Sequence, residues 1–196
     1  MRPRGTIPVI MPASKSALVL GERVYLRRPR MADAEVYCAA VRASRTIHRL
    51  WTRPPATPGE FAKMFARSRQ PASKTLFACR SEDDALVGVF DLSQIFGGIM
   101  QSAYLGYYAL APYARQGYMR DGLELMLRYA FRTLRLHRVE SNIQPANKRS
   151  IALVRRAGFV REGYSRRYLK IAGRWRDHER WALLVEDWRA RRARRQ

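Results

Sequence analysis

Apolar and polar positions alternate with two different periods along the chain. In residues 23–28 they alternate one by one, which predicts a strand that Pro29 ends. In residues 33–44 the apolar positions fall at helical spacing instead. A second helix is predicted to begin after Thr57, because Glu60 stands three residues later, where a capping box needs a carboxylate.

The second half of the chain continues the alternation of strands and helices. Residues 75–80 and 85–93 flank the polar cluster 81–84, which predicts a hairpin. The elements predicted after it are a strand at 101–110, a helix at about 119–134, a strand at 139–144, a short helix from Asn147 with Gly158 as its stop, and two strands at 159–171 and 174–184. This order indicates an α/β fold with a mixed sheet.

The 196 residues are enough for one domain with a sizeable core. Residues 1–20 carry prolines and arginines and are predicted to be a flexible extension. Residues 21–188 form the predicted folded domain, and residues 189–196 form a basic tail. No apolar run approaches the roughly 20 residues of a membrane span, so no membrane partner is expected.

Positive charge is the strongest feature of the composition. Lysine and arginine together number 38, against 16 acidic residues, which gives a formal net charge of +22. A field of this sign attracts polyanions such as nucleic acid, ribosomes and phosphate-bearing cofactors. The arginines of residues 189–195 are predicted either to be solvated or to contact RNA.

Cysteine and histidine are too few and too scattered to indicate a disulfide framework or a metal site. Cys38 and Cys79 are the two cysteines, and we expect them to be inert thiols in a reducing cytoplasm. His48, His137 and His178 show no spacing that suggests a metal ligand set. The expected location is therefore cytoplasmic, and no metal is expected.

Residues 110–120 join a predicted strand to a long helix. Gly117 lets backbone N–H groups converge without a side chain in the way, and the helix beyond it begins with unpaired N–H groups and a positive dipole end. Together they predict an anion seat suited to a pyrophosphate, with Arg115 and Arg120 adding charge. Such junctions are common in α/β proteins, so this one alone is weak evidence.

Several separated motifs are more specific. Residues 147–163 resemble the N-x-x-S…GF-x-x-x-G signature of GNAT acetyltransferases. Residues 168–178 resemble the last hairpin of the ribosomal-protein alanine N-acetyltransferases, and so do residues 104–107 and 145–150. The resemblance covers roughly residues 21–188.

The resemblance implies a strongly twisted mixed sheet, flanked by helices, whose two central parallel strands splay apart to hold acetyl-CoA. The pyrophosphate loop of the family maps onto residues 114–119. Two positions depart from the pattern: Ala114 replaces the usual Gln or Arg, and Met119 replaces the usual Gly or Ala. The residues expected to contact acetyl-CoA are Leu110, Arg115, Gln116, Gly117, Tyr118, Met119, Arg120, Asn147 and Ser150.

Three features are expected to support direct acetyl transfer, without an acyl-enzyme. A backbone donor near Leu110 would polarise the thioester carbonyl. Ser150 maps onto the hydroxyl beside the thioester sulfur, where it would donate to the leaving thiolate. Asn147 is expected to contact the cofactor, to cap the following helix, or to do both.

The general base is missing from its family position. Related N-terminal acetyltransferases carry a glutamate where this chain has Asn142, and a tyrosine where it has Val154. Asn142 cannot take a proton, although it would be able to hold a water that does. Glu140 shares its strand face by period-two spacing. It is therefore a candidate base, or else a partner for an arginine.

Weak base machinery favours an α-amine over a lysine, because an α-amine has a pKa near 8 and a lysine one near 10.4. The resemblance points to the N-terminal alanine of a ribosomal protein, and the basic surface is compatible with an rRNA or ribosome contact. The aromatic residues expected either to line a peptide slot or to pack in the core are Tyr104, Tyr107, Tyr108, Trp175 and Trp181.

Two other interpretations stay open from the sequence. One is a basic RNA- or ribosome-binding factor on the same scaffold with little activity. The other is an acetyltransferase that acts on protein lysines or on a small amine, such as a polyamine or an antibiotic. The basic surface disfavours a cationic substrate through like-charge repulsion.

Overall fold

A computed structural model describes residues 16–194. Its centre is a mixed sheet of eight strands in the order β1-β2-β3-β4-β5-β6-β8-β7. The strands are β1 (Ala17–Leu20), β2 (Val24–Arg27), β3 (Ser73–Arg80), β4 (Leu86–Phe96), β5 (Ser102–Ala109), β6 (Arg138–Ile143), β7 (Val160–Ile171) and β8 (Arg174–Leu184). Neighbouring strands run antiparallel except for β5 and β6, which are parallel.

Six α-helices cover the sheet. They are α1 (Ala34–Ala43), α2 (Arg45–His48), α3 (Pro58–Ser68), α4 (Tyr118–Arg128), α5 (Lys148–Ala157) and α6 (Val185–Ala193). The capping box predicted from Thr57 and Glu60 is confirmed, because each side chain bonds the backbone N–H of the other. Gly158 ends α5 in the left-handed region, with φ of +96°, as its place after the apolar stripe predicted.

Each face of the sheet buries its own apolar cluster. Helices α1 and α3 cover one face, where Tyr37 and Phe61 pack on Phe77. Helices α4, α5 and α6 cover the other face, where Met126, Val154 and Trp188 are buried. Alternate residues of each strand therefore point into different clusters, so site residues on these strands lie on one face of the sheet or the other.

The two parallel strands separate soon after they pair. Residues 102–104 of β5 lie opposite residues 138–140 of β6, and no pairing continues beyond them. The C-terminal halves of both strands thus diverge, leaving a gap in the middle of the sheet. The twisted mixed sheet with splayed central strands, expected from the family resemblance, is confirmed.

The folded region extends further at both ends than the sequence indicated. Strand β1 pairs with β2, so residues 17–20 belong to the sheet and not to the extension predicted for residues 1–20. Helix α6 includes residues 189–193 of the predicted tail, and Arg191 of this helix forms a 2.6 Å ion pair with Glu124 of α4. Residues 1–15 and 195–196 lie outside the described part. No helix of residues 16–194 is long and apolar enough to cross a membrane.

Candidate active site

The loop before α4 presents a row of free backbone donors. Gly117 is the N-cap of α4, with φ of +88°, and Arg115 also lies in the left-handed region, with φ of +69°. Within residues 16–194, the backbone N–H groups of residues 114–119 donate to no protein acceptor. Six consecutive unpaired amides at the positive end of a helix make a seat for phosphate oxygens, and so fit the pyrophosphate of a coenzyme.

Arg23 braces this loop, and sequence reasoning missed it. Its Nη2 donates to the carbonyl of Gln116 at 2.9 Å, and its Nη1 contacts Asp121 at 3.1 Å. The guanidinium also stacks over the ring of Tyr118, 4.6 Å from the centroid. Ala114 cannot supply the polar side chain usual at its position, and Arg23, the residue before β2, brings a cation to the same loop. Only the fold reveals this, since the two segments lie 93 residues apart.

Arg23 therefore offers a test of the loop. We expect Arg23→Met to raise the Kd for acetyl-CoA about 3- to 10-fold, because the loop loses one hydrogen bond and one nearby positive charge. Calorimetric titration would measure the change. Arg23→Lys keeps the charge without the planar fork and should recover part of the affinity. An unchanged Kd in Arg23→Met would show that the loop keeps its conformation and its affinity for acetyl-CoA without Arg23.

Met119 fits its position because of a glycine on β4. A Cβ added at Gly88 would collide with the Met119 sulfur, so the bare backbone of Gly88 is what makes room for the longer side chain. Met119 is half-buried here, and Arg120 beside it is exposed and contacts Asp121 at 3.2 Å. The departure from Gly or Ala at this position thus leaves the loop backbone undisturbed.

A cleft of about 290 Å³ occupies the gap between the splayed strands. Residues 105–108 of β5 form one wall and residues 141–144 form the other. Asn147 and Ser150, both predicted to meet acetyl-CoA, also line it. Residues 51–55, between α2 and α3, close the far side. The cleft therefore reaches both faces of the sheet, and its volume is that of a small-molecule site.

The face toward α5 carries a pair of hydroxyls. The Tyr107 hydroxyl hydrogen-bonds to the Ser150 Oγ and also donates to the Ser150 carbonyl at 3.2 Å. Burial raises the pKa of Tyr107 well above its usual value, so the phenol keeps its proton at neutral pH. Both hydroxyls of the pair thus carry a proton at neutral pH. The Tyr107 phenol is a partner for the donor role predicted for Ser150, and the sequence did not reveal it.

Asn147 caps α5, one of its two predicted roles. Its Oδ1 accepts a 3.3 Å hydrogen bond from the Ser150 N–H. The cap fixes the first turn of α5 and thereby the direction of the Ser150 side chain. Asn147 also lines the cleft, where it is accessible to a bound cofactor. Its second predicted role, the contact with the cofactor, stays a prediction.

The opposite face of the cleft carries Asn142 and His178. Gln144, which shares their face, donates to the Leu50 carbonyl at 3.2 Å and so marks the side covered by residues 51–55. The Oδ1 of Asn142 is buried and has no hydrogen-bond partner within residues 16–194. A buried oxygen without a partner at a cleft wall is suited to hold a water or a substrate N–H.

Asp91 is the acidic group of the cleft wall. One of its oxygens accepts from the Thr75 hydroxyl at 2.6 Å, and the other lies 3.4 Å from Arg67. Asp91 stands on the same face of β4 as the buried Val89, which packs toward α1 and α3. It therefore faces the side of the sheet that α1 and α3 cover. No sequence pattern indicated it, because its place depends on the pairing of β3, β4 and β5.

Leu110 itself is not free to polarise a carbonyl. It is fully buried, and its N–H donates to the Val87 carbonyl at 2.9 Å. In an antiparallel pair the N–H groups of alternate residues point to opposite sides. The N–H groups of Tyr107 and Ala109 therefore face away from β4, and of these two residues Tyr107 lines the cleft. The Tyr107 N–H is thus a candidate for the expected backbone donor, whose role stays a prediction.

Glu140 is not placed to act as a base. It lies opposite Tyr104 at the last paired position, before the strands diverge, and it does not line the cleft. Its carboxylate accepts from the Arg138 Nε at 2.8 Å, and Arg138 also pairs with Glu162. The alternative prediction, a partner for an arginine, is the correct one.

Only some of the aromatic residues predicted to line a peptide slot lie in the cleft. Tyr107 and Tyr108 line the cleft, whereas Trp181 is buried with its Nε1 donating to Glu179 at 3.0 Å. Trp175 is exposed, and Tyr104 lies where β5 and β6 are still paired. Within residues 16–194, no three histidine, cysteine or acidic side chains come close enough together to hold a metal ion.

Comparison with curated proteins finds acetyltransferases. The chain is 38% identical over 107 residues to the probable N-acetyltransferase YjcK of Bacillus subtilis, covering 55% of this chain and 59% of that protein. It is 39% identical over 107 residues to the ribosomal protein uS5-alanine N-acetyltransferase of Escherichia coli, covering 55% of each. The chain thus spans a little over half the length of these curated relatives.

Solved structures share the fold. RimJ of Mycobacterium smegmatis in complex with CoA-disulfide has a TM-score of 0.77 and 26% identity, covering 83% of this chain and 82% of that one. The spermidine N-acetyltransferase of Vibrio cholerae in complex with CoA and spermine has a TM-score of 0.73 at 20% identity, covering 85% and 98%. Residues 23–160 match the family described as the acetyltransferase (GNAT) domain, which is more than half of the chain. The chain therefore belongs to the GNAT acetyltransferase family.

Proposed function

We propose that the protein transfers the acetyl group of acetyl-CoA to an N-terminal α-amine, and that the acceptor is the N-terminal alanine of a ribosomal protein. The observation that carries the proposal is the cleft between β5 and β6, which runs from the donor hydroxyls of Tyr107 and Ser150 to an acceptor side with Asp91. Two relatives support the acceptor: a uS5-alanine acetyltransferase and RimJ.

The parts of the site divide the work of a direct transfer. Acetyl-CoA supplies an activated acyl group on sulfur. The free amides of residues 114–119 hold its phosphates, and the N–H group of Tyr107, which faces away from β4, polarises the carbonyl oxygen. The Tyr107–Ser150 pair gives a proton to the departing sulfur. Holding both substrates in one cleft replaces a bimolecular encounter, which is the largest source of rate here.

The charges on the acceptor side favour a peptide over a polyamine. Among the described residues 16–194, Asp91 is the one carboxylate that lines the cleft, and it is partly neutralised by Arg67. Arg53 adds a second cation to the same wall. One carboxylate matches the single ammonium of a peptide N-terminus, whereas the several charges of spermidine would meet two arginines. The likeness to the spermidine enzyme, at 20% identity, shows the fold alone.

A basic hairpin beside the cleft suits an acceptor that lies on or near RNA. The β7–β8 hairpin exposes Arg166, Arg167, Lys170, Arg174 and Arg176. Trp175 among them is 61% exposed. Arginines interleaved with an exposed aromatic side chain are typical of surfaces that contact nucleic acid. This supports the proposed ribosome contact, with rRNA as its polyanionic component.

Three matched acceptors test the function. The first is a peptide with an N-terminal alanine and no lysine; the second has a blocked N-terminus and a single lysine; the third is spermidine. We expect the first to have a kcat/KM at least about 100-fold above the second, because the pKa gap of roughly 2.5 units leaves far less lysine neutral at pH 7. Release of free CoA thiol and product mass would measure the rates.

Each other outcome changes the proposal in a defined way. Faster acetylation of the lysine peptide or of spermidine would contradict the α-amine acceptor. Acetyl-CoA binding without turnover of any acceptor, together with tight RNA binding, would favour a ribosome-binding factor. In cells, mass profiling of protein N-termini with and without the gene should show one ribosomal protein that loses its acetyl group.

A further inference from the structure

The cleft contains a histidine, His178, for which the sequence indicated no role, although it ends the segment that resembles the family's last hairpin. His178 of β8 is 3% exposed, yet it lines the cleft between β5 and β6. Its Nδ1 lies 3.0 Å from the Arg176 carbonyl oxygen. A carbonyl oxygen only accepts, so this contact requires the proton on Nδ1 and leaves Nε2 with a lone pair. The Nε2 atom is not among the fully buried atoms without a partner in residues 16–194, so it keeps some accessible surface, and the space that His178 lines is the cleft.

The sheet register places His178 on the acceptor side. Asn142 pairs with Arg180, and Ile143 pairs with Glu179, so His178 comes next, opposite Gln144. Residues that alternate along paired strands share a face, and His178 therefore shares the face of Asn142. The Tyr107–Ser150 pair lies toward α5, on the other face. A proton acceptor for the amine and a proton donor for the sulfur thus stand on opposite sides of one cleft.

We propose that His178 is the general base of acetyl transfer and accepts the proton of the acceptor amine at Nε2. The amine nitrogen forms a bond to the acetyl carbonyl carbon and passes its proton to Nε2 as it does so. The carbon–sulfur bond then breaks, and the sulfur takes a proton from the Tyr107–Ser150 pair. The pair is reprotonated from solvent, to which His178 returns its proton. This inference rests on the proposed function and supplies the base that Asn142 and Glu140 do not.

The surroundings of His178 keep the imidazole neutral. Burial lowers its pKa below the usual value, although the Arg176 carbonyl and Asp177 act in the other direction. The Asp177 carboxylate is turned away, since it accepts from the Tyr164 hydroxyl and the Arg167 N–H. The Tyr168 ring packs edge-on at 6.1 Å. The charged groups that line the cleft across from His178 are Asp91, Arg53 and Arg67.

Replacement of His178 gives the kinetic test. For the wild type acting on an alanine-start peptide, kcat/KM should rise with pH through two limbs, one below pH 6.5 from His178 and one near pH 8 from the α-amine. In His178→Gln we expect kcat to fall at least about 100-fold and the lower limb to vanish. The Kd for acetyl-CoA should stay within about twofold. His137→Gln removes an exposed histidine far from the cleft and should leave both limbs intact.

A less basic acceptor separates chemistry from structure. A peptide analogue can carry a hydrazide in place of the N-terminal α-amine. The hydrazide nitrogen is neutral at pH 7, and it gives up its proton more readily when it is acetylated. We expect His178→Gln to lose far less rate with this acceptor than with the α-amine. Equal losses with both acceptors would indicate a structural role for His178 and overturn the proposal.

A measurement on the unaltered protein covers the case in which the variant misfolds. Imidazole NMR of the free wild type should show the Nδ1–H tautomer of His178 and a pKa below 6.5. The Nε2–H tautomer, or a charged imidazole at pH 7, would overturn the proposal. Full activity of His178→Gln would do the same, while leaving the proposed function intact. An inactive wild type would instead refute the proposed function itself.

Discussion

Ser150→Ala is expected to lower kcat about 100-fold, because the departing thiolate loses the hydroxyl that reaches it. Tyr107→Phe should lower kcat by a similar factor, since the phenol hydrogen-bonds to the Ser150 hydroxyl and forms one proton-donating pair with it. The double variant should be little slower than either single variant, because the two hydroxyls act as one unit. Steady-state release of CoA thiol would measure all three.

The control for this pair is a hydroxyl elsewhere. Ser68→Ala removes a hydroxyl that donates to the Phe65 carbonyl at the end of α3, outside the cleft lining. It should leave kcat unchanged. The KM for acetyl-CoA should also change little in Ser150→Ala, since the phosphates are held elsewhere. Unaltered kcat in both single variants would mean that the sulfur leaves without a donor from this pair.

Gly117→Val is expected to raise the Kd for acetyl-CoA about 30- to 100-fold. A non-glycine residue at a φ of +88° costs about 1–2 kcal/mol, and β-branching adds to this. A Cβ at this position would also come within 3.2 Å of the Arg23 guanidinium. The loop would relax away from the conformation in which its amides converge, and the phosphates would lose their donors. Calorimetric titration is the measurement.

Gly98→Val is the matched control. Gly98 also has a positive φ, of +59°, but it lies in the turn between β4 and β5 with nothing within 4 Å of an added Cβ. It should lose comparable stability in a thermal melt and keep the wild-type Kd. Equal losses of affinity in both variants would mean that general destabilisation by backbone strain weakens binding, and not the loss of the loop conformation that binds phosphate.

Local chemistry explains what the sequence predicted well. The capping box of Thr57, the stop at Gly158 and the N-cap at Asn147 each depend on residues within about one helical turn. Hydrophobic period likewise identified the strands from β2 to β8 and the helices between them, except for the short α2. The gap in the sheet came from the family resemblance, because splaying of β5 from β6 has no local signature.

Tertiary pairing explains what the sequence could not predict. Period-two spacing assigned Glu140 and Asn142 to the same face, but only the register shows that β5 and β6 are still paired at Glu140 and have separated at Asn142. Asp91 and His178 reach the cleft from β4 and β8. The place of Asp91 depends on how β3 and β5 pair with β4, and that of His178 on the pairing of β8 with β6, so their local patterns carry no hint of a site.

Tertiary contacts also explain why β1 and α6, near the two ends of the described region, were not predicted. Residues 17–20 are too short and too close to a proline-rich stretch to be identified as a strand, yet β2 provides a neighbour for them. The arginines of α6 suggested a solvated tail. Trp188, however, is 2% exposed and packs on Phe131, which anchors the helix to the domain. The arginine-rich composition of this segment did not reveal that Trp188 is buried.

Hydrogen–deuterium exchange with and without saturating acetyl-CoA tests the central claim most directly, because it reports on the very amides that are proposed to bind phosphate. The account predicts that acetyl-CoA slows exchange in residues 114–119 and in the C-terminal half of β5, and that Gly117→Val abolishes the first effect. If acetyl-CoA binds while those amides exchange as fast as before, or protects a different surface, the cleft between β5 and β6 is not its site and the account is wrong.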